Sequence, residues 1–255
     1  MNDGKPAQPV KSAQRVLELL EYFADEQRAA SVKEISLALG YPQSSTSVLL
    51  RSLSESGYFD HDPRTGLYSP NLRLALATAW IEEHMFSEQS LMRLMHRVHD
   101  ACGHTVMVGK LQGAQVRYLH VLQATRSGRF TAKIGSLRPL FLSAPGRMLL
   151  TTRPERELPA LLRRANALET DPAREVTLDS ALAERARALR QGWAISKGSS
   201  IAGAAGLAIL LPVPRHHDPM TLSLGGPISE ISADRERLLA LLNDAVATLR
   251  QAVNR

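Results

Sequence analysis

The chain has 255 residues, 44% of them hydrophobic and 22% charged, with a formal net charge of +6. That length supports one large domain or two modest ones, each with its own core. No apolar run approaches the roughly 18 residues a membrane span needs, the start MNDGKPAQPVK has no apolar signal region, and the single Cys102 excludes an internal disulfide framework. The expected location is the cytoplasm, with no membrane partner. The charge is unevenly spread: residues 1–80 carry eight Lys/Arg against nine Asp/Glu, and the remaining residues 23 against 16. A polyanion partner of the first part must therefore be held by a few placed groups rather than by a basic field.

Residues 1–10 are polar and contain Pro, and read as disordered. Residues 11–26 read as a helix, with Ala13, Val16, Leu17, Leu20 and Phe23 at helical spacing and Ser12 as N-cap. Ser31 and Glu34 form a capping-box pattern for a second helix that buries Ile35, Ala38 and Leu39 and stops at Gly40. Pro42 suits the start of a third, in which Thr46, Leu49, Leu50 and Leu53 make one inner stripe and Gly57 ends the run. Tyr58-Phe59 and Leu67-Tyr68 then flank a turn-forming stretch, residues 62–66, and read as a hairpin.

Residues 71–99 have helical composition without Pro or Gly, and Ser87 can cap a second helix within them. They read either as ordinary packing helices or as a connector that pairs with its twin. Strands are expected at 104–108 and 115–121, joined at residues 112–114, and at 130–134. Residues 139–150 begin irregular and become a short helix. Helices follow at 154–166 and 177–191, strands at 193–197, 205–211 and 220–225. A closing helix over 234–253 has Leu238, Leu239, Leu242, Val246 and Leu249 inward. Helices bracketing an antiparallel sheet make an α+β domain.

Two short helices around a tight turn, followed by a hairpin, have the outline of a winged helix-turn-helix. Its second helix would enter the major groove of double-stranded DNA. Once its inner stripe is buried, that helix presents Gln43, Ser44, Ser47, Val48 and Arg51. Gln can pair with adenine, Ser with either partner, and Val48 can meet a thymine methyl. Amides near Gln43, Ser44 and Ser45 can hold a phosphate, and Arg64 at the hairpin tip can reach a phosphate or the minor groove. The alternative is a small helical bundle with solvated serines and no DNA.

The sequence resembles the IclR family of bacterial transcriptional regulators. The likeness begins at Ser12, Arg15, Val16 and Leu17. It continues through Glu34, Ile35, Leu39, Gly40, Tyr41, Pro42, Ser44, Ser45, Leu49, Leu50, Leu53, Gly57, Tyr58, Tyr68 and Leu72. In the second half it takes in Gly135, Pro139, Leu140, Ala144, Gly146, Arg147 and Leu150, then Gly192-Trp193 and residues 210–214. The resemblance implies a winged helix-turn-helix DNA-binding domain at 11–70, linker helices at 71–99, and a GAF-like effector-binding and oligomerisation domain at 100–255. It implies a homodimer or homotetramer and adds Arg15 to the candidate DNA contacts. The family often has Lys where this chain has Gln43 and Arg where it has Val48. Around 199–208 Ser and Ala/Gly residues replace the family's acidic residue and Cys-containing strand.

The effector pocket of the resembled family is lined by the central sheet and by the segment matching 130–150. The inward candidates here are His104, Val106, Tyr118, His120, Arg129, Ser143, Ala144, Met148, Leu207 and Ser223. Hydroxyls, an Arg and a His in an apolar wall suit a small organic acid or a phenolic compound. His96, His99, Cys102 and His104 are of metal-ligand type, but no second pair with finger spacing follows, and core or surface roles are preferred. No G-x-S-x-G, G-x-G-x-x-G or P-loop is present, so neither catalysis nor a cofactor is expected. The favoured reading is a DNA-binding regulator responding to a small effector. The rivals are a regulator whose second domain only oligomerises, an enzyme using His104 or His120, and a protein-interaction module without DNA binding.

Overall fold

The computed structural model describes residues 10–253 apart from 87–90, 126–130 and 215–216. Residues 1–9 and the named Ser87 and Arg129 lie outside the described residues. The chain divides into two compact units, residues 1–81 and 82–255. No described helix is long and apolar enough to cross a membrane.

The first unit runs α1 (Lys11–Glu26), β1 (Ala30–Ser31), α2 (Val32–Leu39), α3 (Gln43–Glu55), β2 (Phe59–Asp62), β3 (Leu67–Pro70) and the start of α4 (Leu72–Phe86). The capping box is formed: the Glu34 amide donates to Ser31 Oγ at 3.3 Å, and the Ser31 amide donates to Glu34 Oε2 at 2.8 Å. Gly40 closes α2 at φ +69°, a left-handed conformation that suits glycine. Pro42 sits one step outside α3, at its N-cap. Leu19, Phe23, Ile35, Leu50, Phe59 and Tyr68 form the core. The small sheet has the order β1-β3-β2.

Three expectations shift here. Val10, not Ser12, is the N-cap of α1, and no side chain caps it. The inward stripe of α1 is Val16, Leu19, Leu20 and Phe23, while Leu17 is 62% exposed. The two sets share Val16, Leu20 and Phe23, and packing selects Leu19 in place of Leu17. Ala38 is exposed and Ile35 alone is fully buried on α2. The two-residue β1 was not expected, since two residues carry no periodicity.

The second unit contains α5 (Leu91–Cys102), β4 (Thr105–Gln112), β5 (Gln115–Leu122), β6 (Leu137–Pro139), α6 (Ala144–Leu150), α7 (Leu158–Asn166), α8 (Leu178–Gln191), β7 (Ala194–Lys197), β8 (Ala204–Leu210), β9 (Met220–Pro227), α9 (Ile228–Ala233) and α10 (Arg235–Val253). Its six strands form an antiparallel sheet in the order β6-β5-β4-β9-β8-β7. One face carries Val106, Val108, Leu207, Ile209, Leu222 and Leu224, packed with Leu94, Met95 and Val98 of α5 and Leu238, Leu242 and Val246 of α10. On the other face Ala194 and Ala208 pack against Ala144 and Met148 of α6 and Ala188 of α8. The strand expected at 130–134 is not formed over its described part, 131–134. Pairing with β5 begins only where Gly135 donates to the Tyr118 carbonyl at 2.8 Å, and β6 follows.

A bulge interrupts the β4–β5 ladder. Val108 faces His120, yet Gly109 faces Tyr118, which leaves Leu119 as the extra residue. An unpaired residue inverts the alternation of side chains beyond it. Tyr118 and Val121 therefore join Met107 on the α6 side, while His120 turns to the α5 side.

α6 is pressed onto the chain before it. A Cβ on Gly146 would lie 2.0 Å from the Leu140 carbonyl oxygen. Ser143 caps the helix by accepting from the Gly146 amide at 3.2 Å, and donates to Pro139 O at 2.7 Å. Arg147 donates to the Phe141 and Ile195 carbonyls at 3.2 and 2.8 Å, tying α6 to β7. Gly146→Ala is expected to cost about 2 kcal/mol or more, because backbone rather than a flexible side chain blocks the methyl; a melting temperature equal to that of the parent protein would contradict this contact.

The Glu34 carboxyl is held down to about 2, from an ordinary value of 4.5, by the Ser31 amide, the Ser31 hydroxyl and Arg28. A depressed folded-state value stabilises the protein above the unfolded value, and that contribution is lost as pH falls through the folded one. The stability gap between the parent and Glu34→Ala should thus be constant above about pH 4.5 and close towards about pH 2. Chemical denaturation across that range measures it, and a gap indifferent to pH would contradict the assignment.

Candidate functional sites

α3 is two-faced. Thr46 and Leu50 are buried and Leu49 and Leu53 are partly so, which turns Gln43, Ser44, Val48, Arg51 and Ser52 outward. Ser45 and Ser47 are half-buried at the flanks. Val48 is 67% exposed, an apolar patch amid hydroxyls. Arg64 stands at the exposed tip of the β2–β3 hairpin. That tip is stiffened by Asp62, whose carboxylate accepts from the Arg64 amide at 2.9 Å and from Thr65 Oγ1 at 2.7 Å. The same bonds hold the Asp62 carboxyl below the usual range, the Thr65 bond most.

Arg15 is half-buried, with its guanidinium 4.8 Å from the centre of the Tyr41 ring, so it braces α1 against the α2–α3 turn. Arg73, which the sequence reading did not single out, lies 4.8 Å from the centre of the Tyr58 ring and donates to Ser56 O at 3.1 Å. A Cβ on Gly57 would come within 2.7 Å of its Nη1, so the glycine makes room for this lock between the end of α3 and the start of α4.

In the second unit a pocket of about 340 Å³, measured to its open mouth, lies between the sheet and the start of α6. Tyr118, Ser143 and Ser223, all named from the sequence, line it. Arg138, Ser196, Ser200, Ile201, Met107 and Gly206 line it as well and were not foreseen. Met107 was within reach of sequence reasoning, because it pairs with Ser223 across the β4–β9 ladder and must share its face. Arg138 was not, since it sits on a three-residue strand after an irregular stretch.

The other candidates fall elsewhere. Val106 and Leu207 point into the core beneath α5 and α10. His104 is on that side too: a Cβ on Gly226 would meet both His104 Nδ1 and Ile231 Cδ1, at 2.8 and 3.3 Å. Behind the bulge, His120 has a buried Nε2 with no hydrogen-bond partner among the described residues. Burial, then nearby His96, pushes its pKa down. Ala144 and Met148 are on the pocket's side of the sheet but are packed into the α6–α8 contact.

His96, His99, Cys102 and His104 do not form a cage. Among the described residues no three His, Cys, Asp or Glu side chains come together as metal ligands. His99 Nε2 lies 2.7 Å from Gln123 O, and burial pushes the Cys102 thiol up. A second hollow of about 370 Å³ lies beside the β4–β5 turn and α7. Its polar groups already pair with one another: Glu169 with Arg174 at 3.1 Å, and the Asn166 side chain with the Val176 backbone.

Two family profiles match the chain. The IclR helix-turn-helix domain matches residues 12–63, and the bacterial transcriptional regulator IclR C-terminal domain matches residues 84–251. The transcriptional repressor AllR of Escherichia coli K12 is 26% identical over 239 residues, covering 91% of this chain and 88% of AllR. An IclR regulator from Alicyclobacillus acidocaldarius superposes with a TM-score of 0.67 at 21% identity, over 96% of this chain and 100% of its own. An IclR homologue from Microbacterium hydrocarbonoxydans, complexed with 4-hydroxybenzoate, gives 0.61 at 20% identity, over 95% and 99%. With a helix-turn-helix whose polar face is exposed and a C-terminal unit matched over most of its length, the chain belongs to the IclR family of DNA-binding transcriptional regulators.

Proposed function

We propose that this regulator reads its operator with the Gln43–Arg51 face of α3 and the Arg64 hairpin, and that a small organic effector enters the pocket beneath α6. The observation that carries the reading is the split of α3 into a buried Thr46/Leu50 side and an exposed side of short polar groups around Val48. Short side chains allow the helix backbone to approach base edges closely. Arg15 acts by bracing the α2–α3 turn rather than by reaching a base. We read the C-terminal sheet with its flanking helices as GAF-like. The Microbacterium homologue, which holds 4-hydroxybenzoate, supports a small-molecule role for this kind of unit.

Operator palindromes require two copies of the recognition helix. α4 supplies a surface for pairing: Leu72, Leu76 and Trp80 recur at four-residue spacing and are 71%, 64% and 58% exposed. An exposed apolar row of this kind fits a twin helix. The effector then acts by preferring one arrangement of the paired chains over another, and its differential affinity sets the size of the response.

Selection of genomic fragments by the full-length protein should return one short recurring palindrome; recovery no better than for random duplex would defeat the regulator reading. Arg51→Ala should weaken specific binding by about 1–3 kcal/mol and relax one base position. Arg64→Ala should weaken binding to every duplex alike and reduce the salt slope by about one. Competition titrations at several salt concentrations separate the two. Leu76→Glu should shift the sedimentation profile towards the monomer, and an unchanged profile would move the dimer contact off α4.

A further inference from the structure

Arg138 brings a guanidinium to the wall of the pocket from β6. Its Nε–H is buried and has no hydrogen-bond partner among the described residues. Nη1 donates to the adjacent Leu137 carbonyl at 2.9 Å, and the guanidinium carbon lies 5.3 Å from the centre of the Tyr118 ring. Neither contact is a counter-ion. The described lining residues include no Asp or Glu. Guanidinium does not deprotonate in proteins, and a half-buried charge with one buried donor left open favours an acceptor that brings the opposite charge.

Tyr118 does not fill that role. Burial pushes its phenol up to about 12 even though the Arg138 charge opposes the shift, so it stays neutral and can donate. Ser143 and Ser223 donate their protons to the Pro139 and Met107 carbonyls, at 2.7 and 3.3 Å. The arrangement is a single cation, a neutral phenol and satisfied hydroxyls around a small space.

On the effector-pocket reading above, we infer that Arg138 is the group that neutralises a carboxylate of the effector, and that the pocket selects small monoanionic acids over their neutral analogues. One guanidinium among the described lining residues matches one negative charge, which favours a carboxylate over a phosphate dianion. The space is confined between the sheet and the start of α6, which suits a short-chain or single-ring acid. Arg138 is thus a specificity-determining residue: an uncharged isostere leaves its charge without a counter-ion.

Calorimetry on the full-length protein tests this with benzoate, 4-hydroxybenzoate, pyruvate and lactate, each beside its primary amide. At least one acid should bind, with its amide on the order of 30-fold weaker. Arg138→Met should bring the acid down to the level of the amide and leave the amide where it was. Arg138→Lys, a point charge without the fork, should fall between. Acid binding unchanged in Arg138→Met, or amides that bind as well as acids or bind alone, would overturn the role of Arg138 and leave the effector pocket standing. Silence from acids and amides alike would overturn both. The acid–amide comparison on the parent protein decides the matter even if Arg138→Met fails to fold, which melting and operator binding without ligand would reveal.

Discussion

The C-terminal unit depends on an imbalance of side-chain volume between the two faces of one sheet. β9 runs buried along most of its length and alternates Leu222 and Leu224 with Thr221, Ser223 and Gly225. The leucines fill the layer beneath α5 and α10 to the density expected of a core. The opposite side carries Ser196, Gly206, Ser223 and Gly225, which are too small to reach the helix above. α6 cannot settle further, because Gly146 is already against the Leu140 backbone and Arg147 ties the helix to β7. What remains is a space walled in part by a hydroxyl satisfied from within the sheet, Ser223 bonding Met107 O, and in part by the open Nε–H of Arg138. Such a space suits water or a polar ligand, where a leucine-lined void would stay dry.

The bulge at Leu119 decides which chemistry enters that space. Without it, Tyr118 and His120 would share a face, and an imidazole would join the phenol. With it, the phenol faces the pocket and the imidazole is directed at α5 and His96. One inserted residue thereby removes a titratable group from the pocket side, and the fixed charge of Arg138 over Tyr118 is left to set the electrostatics there.

Elements with a strong period or a cap were legible in the sequence. The Ser31/Glu34 box, the Gly40 stop, the β2–β3 hairpin and the leucine stripe of α10 all followed from local chemistry that tertiary packing did not override. The short pieces were not legible: β1, β6 and α9 have too few residues to show a period. The exposed face of α3 was readable because one helix carries it and its buried stripe is local. The pocket was read only in part, since its walls come from β4 to β9 and α6, and only the register says which residues share a face. Strict alternation through residues 118–120 placed His120 wrongly because a bulge leaves no mark in composition. Val106 and Leu207 were misplaced for a simpler reason: apolar residues on both faces of a doubly covered sheet look alike.

The electrostatics of the first unit set a limit on how it can hold DNA. Its few cations are partly committed. Arg28 pairs with Glu26 and Glu34 at 3.2 and 3.1 Å, Arg15 covers Tyr41, and Arg73 covers Tyr58. Arg51 and Arg64 are exposed on the recognition helix and the hairpin tip, where a duplex could meet them. Each phosphate neutralised contributes to counterion release, and sequence-independent affinity grows with their number. On the proposed reading, a unit with so few available charges would gain little from the backbone, and base-edge contacts would account for a larger share of binding. On the proposed reading, Gln43 and Val48, which carry no charge, would favour discrimination over affinity per head. Under the proposed pairing, two heads would act together on an operator, and the arrangement of the paired chains, the quantity an effector could bias, would decide whether the site is filled.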